Sequence, residues 1–193
     1  MALAFPLLIG LAVAPLLGGR WRRLAELRIR WIGLFYAAIA MQIVAFPVSA
    51  LPWRTPDRAA VVLWLTSYAL FAVAAARNAR IAGVPLIAVG MASNVAAIVS
   101  NGGHMPALPS ALRAAGLHFE QSRNSAVLAA PHLHWLVDRW AAPAWVPWAN
   151  VYSVGDVLIA LGGFILALGA TGALRLPRLS VLLREDAPSG PVG

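Results

Sequence analysis

Residues 151–174 read Val-Tyr-Ser-Val-Gly-Asp-Val-Leu-Ile-Ala-Leu-Gly-Gly-Phe-Ile-Leu-Ala-Leu-Gly-Ala-Thr-Gly-Ala-Leu. Asp156 is the only charge in that run. A helix needs about 20 mostly apolar residues to cross the hydrocarbon core of a bilayer, and this stretch supplies them. Working outward, four more runs have the same character: 2–18 (with Pro6 and Pro15 inside it), 31–51, 56–76 and 81–100. The expected fold is all-α, a polytopic membrane protein with five transmembrane helices. One membrane domain fills 1–180, and the Pro/Gly-rich end, 181–193, is expected to be disordered. No internal repeat is visible.

Composition agrees. Of 193 residues, 61% are hydrophobic and 11% charged, against about 25% charged in a soluble domain. The mean hydropathy is +0.76. A disulfide scaffold is excluded because there is no Cys. Disorder is excluded over most of the chain by the apolar content.

The net charge is +8, and every basic residue is Arg. These Arg residues lie in connections between apolar runs, which points to membrane topology rather than nucleic acid. Arg20, Arg22, Arg23, Arg28, Arg30, Arg77, Arg80, Arg175, Arg178 and Arg184 fall on one side. Arg54, Arg58, Arg113, Arg123 and Arg139 fall on the other. The richer side is expected to be cytoplasmic, giving N-outside and C-inside. The first run lacks the leading positive charges of a signal peptide and reads as an uncleaved helix.

The connection 101–150 is expected to form an irregular outer cap. It holds His104, His118, His132 and His134, and also Glu120 and Asp138. Ser110 and Gly116 mark the start and stop of a short helix. Trp135, Trp140, Trp145 and Trp148 suit the membrane interface, where an apolar ring with a polar N–H is favoured. Thr55 and Pro56 read as the N-cap and first position of the third helix.

Two places carry candidate binding residues. Asn101-Gly102-Gly103 ends the fourth run, either as a helix stop or as a tight polar loop for a ligand. Ser153 and Asp156 open the fifth run with capping-box spacing. An acid at that depth is also a functional candidate. If the two runs are neighbours, Asn101 and Asp156 share one outer pocket. Gln42, Ser93 and Asn94 lie inside runs and suit hydrogen bonds between helices. No metal site is expected. His132 and His134 form a pair, but zinc needs three or four ligands, and no spacing supplies the rest. No catalytic motif is present, and no cofactor is indicated.

The stretches Arg-Leu-Ala-Glu-Leu-Arg-Ile-Arg-Trp (23–31), Asn-Gly-Gly-His-Met-Pro (101–106), Asn-Ser-Ala-Val-Leu (124–128) and Val-Tyr-Ser-Val-Gly-Asp-Val-Leu-Ile-Ala-Leu-Gly (151–162) resemble a bacterial family of small integral membrane proteins, a domain of unknown function. The resemblance covers about residues 18–170. In its Asn-Gly-Gly-x-Met-Pro pattern, His104 takes the variable place. The resemblance implies a multi-pass protein of the bacterial cytoplasmic (inner) membrane and gives no activity. The leading expectation is a non-enzymatic accessory or scaffold subunit of a membrane complex, with the bilayer and other membrane subunits as partners. The alternative is a small transporter or a lipid- or quinone-binding protein using the Asn101/Asp156 region. A lipid enzyme with Asp156 as base is the third.

Overall fold

A computed structural model describes residues 4–46, 53–117, 125–143, 145 and 150–174. All five apolar runs contain helices. α1 (Phe5–Val13) continues into a 3-10 turn, Ala14–Leu17. A second 3-10 turn, Trp21–Glu26, leads to α2 (Ile32–Ala45). Then come α3 (Asp57–Arg77), α4 (Val84–Ser100), the short α5 (Pro109–Ala114) and α6 (Val154–Thr171). The protein is mostly helical.

Two helices are long and apolar enough to cross a membrane, α3 with 21 residues and α6 with 18. The others fall short of the sequence expectation. α2 has 14 residues, about 21 Å at 1.5 Å per residue, and the remainder of its run, 47–51, lies outside the described residues. At α4 the chain reverses at Gly83, whose φ is 86°, so the helix opens three residues later than the run. At α6, Val151–Tyr152 is extended and Ser153 is the N-cap, which trims that run too. The predicted tail, 181–193, also lies outside the described residues.

In space the helices follow the order α2, α3, α4, α6, α1. Small residues set the closest approaches. A Cβ on Gly90 would lie 2.5 Å from the Gly155 carbonyl oxygen, and one on Gly162 would lie 2.8 Å from that of Gly83. On the other flank of α6, a Cβ on Gly10 would lie 2.8 Å from the Ala167 Cβ. Backbones this close gain dispersion contacts that larger side chains would prevent.

Polar side chains tie the same helices. The Gln42 amide on α2 donates to the Ser67 hydroxyl on α3 at 3.0 Å. Asn78, after α3, accepts from the Arg30 N–H and donates to the Arg30 carbonyl, both at 2.8 Å. The Thr55 hydroxyl donates to the Val44 carbonyl, near the end of α2. Helix α3 itself starts at Asp57 with Pro56 in the cap place, one residue later than expected.

The 101–150 connection is more regular than the all-α expectation. β1 (Met105–Ala107) pairs in parallel with β2 (Ser125–Val127), and β3 (Trp140–Ala141) pairs antiparallel with β4 (Val151–Tyr152). Helix α5 begins at Pro109 with Leu108 as N-cap, so Ser110 is inside it. Pro109 fits because the first turn has no need of its N–H. Gly116 (φ 67°) follows it as expected. The cap sits on a core of Trp64, Ala97, Ile98, Met105 and Val137. Phe46 meets Trp64 edge-on at 5.1 Å.

Candidate functional site

The most connected polar group lies where α4 meets the start of α6. Ser153 is fully buried, and its hydroxyl accepts from the Asp156 N–H at 3.0 Å. The Asp156 Oδ2 accepts from the Ser153 N–H at 3.0 Å. This is the capping box expected from the spacing. The structure adds a third member. Asn94 of α4 donates to Asp156 Oδ1 at 2.9 Å, and its own Oδ1 accepts from the Ser153 hydroxyl at 2.9 Å. Glycine makes this possible, since a Cβ on Gly155 would stand 1.9 Å from the Asn94 Oδ1.

Both Asp156 oxygens therefore accept hydrogen bonds, one from its own helix end and one from α4. Asp156→Asn keeps only one acceptor and turns an NH2 toward a donor. It should lower stability by roughly 1–3 kcal/mol, the cost of an unmade hydrogen bond at a half-buried site. Thermal unfolding in detergent reads this, and an Asn variant as stable as wild type would show that the carboxylate is not needed there. Ser153→Ala combined with Asp156→Ala should be non-additive, because both serve one network.

A second acid comes from a place the sequence reading named but did not single out. Asp138 precedes β3 and pairs with β1: its N–H donates to the Pro106 carbonyl at 2.9 Å, and its carbonyl accepts from the Leu108 N–H at 3.0 Å. This backbone pairing holds the side chain inward. It is 9% exposed, and its Oδ1 is buried without a hydrogen-bond partner among the described residues. Burial, and then the negative charge of Asp156, push its pKa up to about 8. The neighbouring Arg139 does not offset this; its guanidinium lies over the Trp135 ring at 4.6 Å and the Trp140 ring at 5.8 Å. Asp138 therefore carries a proton at neutral pH, in a site that disfavours charge.

Asn101 is placed elsewhere. Its amide donates to the Ala97 carbonyl at 2.7 Å and to the His132 carbonyl at 3.0 Å, and its oxygen accepts from the His132 N–H at 2.9 Å. It ties the cap to the end of α4. Gly102 and Gly103 have φ of 73° and 90°, and the Gly103 N–H donates to the Ile98 carbonyl. That is a helix stop. The His132 backbone is used here, while the His134 ring meets the Trp135 ring at 4.4 Å, tilted by 45°. Among the described residues, no three His, Asp or Glu converge on one point; His118 and Glu120 are outside those residues. Trp135 and Trp145 are exposed, whereas Trp148 is not described.

Between α3 and α4, Leu65, Tyr68, Met91, Val95 and Val99 line an apolar groove of about 390 Å³. Tyr68 also packs on the core that includes Val137, beside Asp138.

A family of unknown function, DUF5317, matches residues 26–168. No curated protein and no solved structure matches the chain. The match covers most of the chain, which therefore belongs to DUF5317.

Proposed function

We propose that this chain is a five-span, multi-pass protein of the bacterial inner membrane, N-outside and C-inside, serving as a non-enzymatic accessory or scaffold subunit of a membrane complex. One contrast carries the reading: polar side chains point inward to other helices, and apolar ones point outward. Gln42, Asn94 and Asp156 bond across helix pairs. Val62, Val99, Ile43 and Leu161 are 63%, 58%, 50% and 49% exposed. Only 28% of the most apolar window of α3 and 33% of that of α6 are buried inside the protein. A soluble protein leaves no such belt open to water; a bilayer covers it. The short α1, α2 and α4 fit by local thinning of the bilayer and by packing on α3 and α6.

A second reading has one observation behind it. The protonated Asp138 has an oxygen that no group among the described residues satisfies. It lies near the apolar groove that Tyr68 lines. This suits a small transporter or a lipid- or quinone-binding protein, with Asp138 in place of the expected Asn101 beside Asp156. Mild detergent extraction and affinity purification separate the two. A stoichiometric partner protein supports the scaffold reading. A lipid or quinone seated in the α3–α4 groove near Asp138, without a partner protein, supports the second and overturns the first.

A further inference from the structure

The opposite end of the bundle carries a different site. Arg28 and Arg30, on the connection before α2, and Arg77 and Arg80, around the end of α3, line one cup of about 410 Å³. Among the described residues, no acidic one lines it. Asn78 fixes the two segments together through its pair of bonds to the Arg30 backbone. The Arg77 guanidinium rests over the Trp31 ring at 4.1 Å, which orients it and leaves its edge open. Four exposed arginines thus line one cavity, and an anion bound there would offset their charge.

Directly against the cup lies an apolar cleft of about 250 Å³, lined among others by Phe35, Phe71, Ala75 and Leu166. The two cavities share Asn78 and Ile81 as a common wall. An arginine cup joined to an apolar slot between helices matches an anionic headgroup joined to an acyl chain. Arg is suited to the headgroup because its planar fork meets phosphate oxygens in pairs. The cup lies on the Arg-rich side, expected to be cytoplasmic, where anionic lipid headgroups attract basic segments.

We propose that Arg28, Arg30, Arg77 and Arg80 bind the phosphate of an anionic phospholipid whose acyl chain enters the adjoining cleft. This rests on the membrane-spanning reading above. The occupant is a lipid rather than free phosphate because the cup borders the apolar cleft, which an inorganic ion would leave unfilled.

The test uses the full chain in neutral detergent micelles, with dioleoyl-phosphatidylglycerol, dioleoyl-phosphatidylcholine or inorganic phosphate added. Native mass spectrometry reads retained lipid and thermal unfolding reads stabilisation. The glycerol lipid should be retained and should raise the melting temperature, and the choline lipid should do neither. The variant R28Q/R30Q/R77Q/R80Q should lose at least about tenfold in retention. If it does not fold, the pairs R28Q/R30Q and R77Q/R80Q should each show part of that loss, and R54Q/R113Q, on the other side, none. Equal retention of both lipids, equal loss in R54Q/R113Q, or stabilisation by phosphate alone would overturn the proposal. Alkaline carbonate washing of membranes is the separate control. A chain released by carbonate fails the membrane reading itself; a chain that resists it but retains both lipids equally fails only this inference.

Discussion

Gly83→Ala is expected to destabilise the protein strongly, by roughly 2–6 kcal/mol. Gly83 stands at φ 86°, and a Cβ there would lie 2.1 Å from the Gly162 carbonyl oxygen and 2.6 Å from the Leu166 nitrogen. Both obstacles are backbone of α6, so no side chain can turn aside. The substitution demands a left-handed conformation from a residue with a Cβ and separates α4 from α6 at one end of their contact. Overpacking typically costs about 1–3 kcal/mol and backbone strain about as much again, so the sum rivals the margin of a small domain, roughly 5–15 kcal/mol. The control is Gly33→Ala in α2, where a Cβ meets nothing within 4 Å. There the variant should match wild type or gain up to about 1 kcal/mol from helix propensity. Detergent-soluble yield and melting temperature of the two variants give the comparison. A Gly83→Ala protein as stable as the Gly33→Ala protein would contradict the α4–α6 packing.

The second large effect is a pH profile. In the folded protein Asp138 holds its proton up to a pKa of about 8, against an ordinary value of 3.8. Burial is the main cause and the Asp156 charge the next. Between those values the folded chain binds one proton that the unfolded chain releases. Stability should therefore fall as pH rises from about 4 to about 8, by at most roughly 1.4 kcal/mol per pH unit, and level off above. Asp138→Asn imitates the protonated acid and cannot ionise, so its profile should lack this slope. Relative to wild type it should gain most at pH 8 and above. Unfolding followed from pH 5 to 9 checks this, and parallel profiles for the two proteins would show that Asp138 is not held neutral.

These two residues mark what the sequence could and could not convey. The capping box was legible, because Ser153 and Asp156 are three apart and the spacing itself is the signal. Its third member was legible only as a type: Asn94 reads as a group that bonds across helices, but its partner lies 62 residues away, and no local pattern names it. The same holds for Asn101, which reads as a helix stop while its tie to His132 depends on how the cap folds back. Asp138 gave no signal in a Trp-rich segment with Arg139 beside it. Its burial follows from the pairing of its backbone with Pro106 and Leu108, a contact between short strands too brief for an alternating pattern to reveal. The cation cup was visible only as an excess of Arg in the connections expected on one side. Its joining to an apolar cleft was not, because that needs Asn78 to bring two connections together.

The central claim, a chain threaded through a membrane with its arginine-rich end inside, is tested most directly by single cysteines on this Cys-free background. Ala25, before α2, and Ala130, in the cap, are both exposed on the protein surface. In intact cells with a permeabilised outer envelope, Ala130→Cys should react with a membrane-impermeant maleimide. Ala25→Cys should stay unlabelled until the inner membrane is opened. Labelling of Ala25→Cys with protection of Ala130→Cys would reverse the orientation, and equal labelling of both before the inner membrane is opened would contradict a membrane between them.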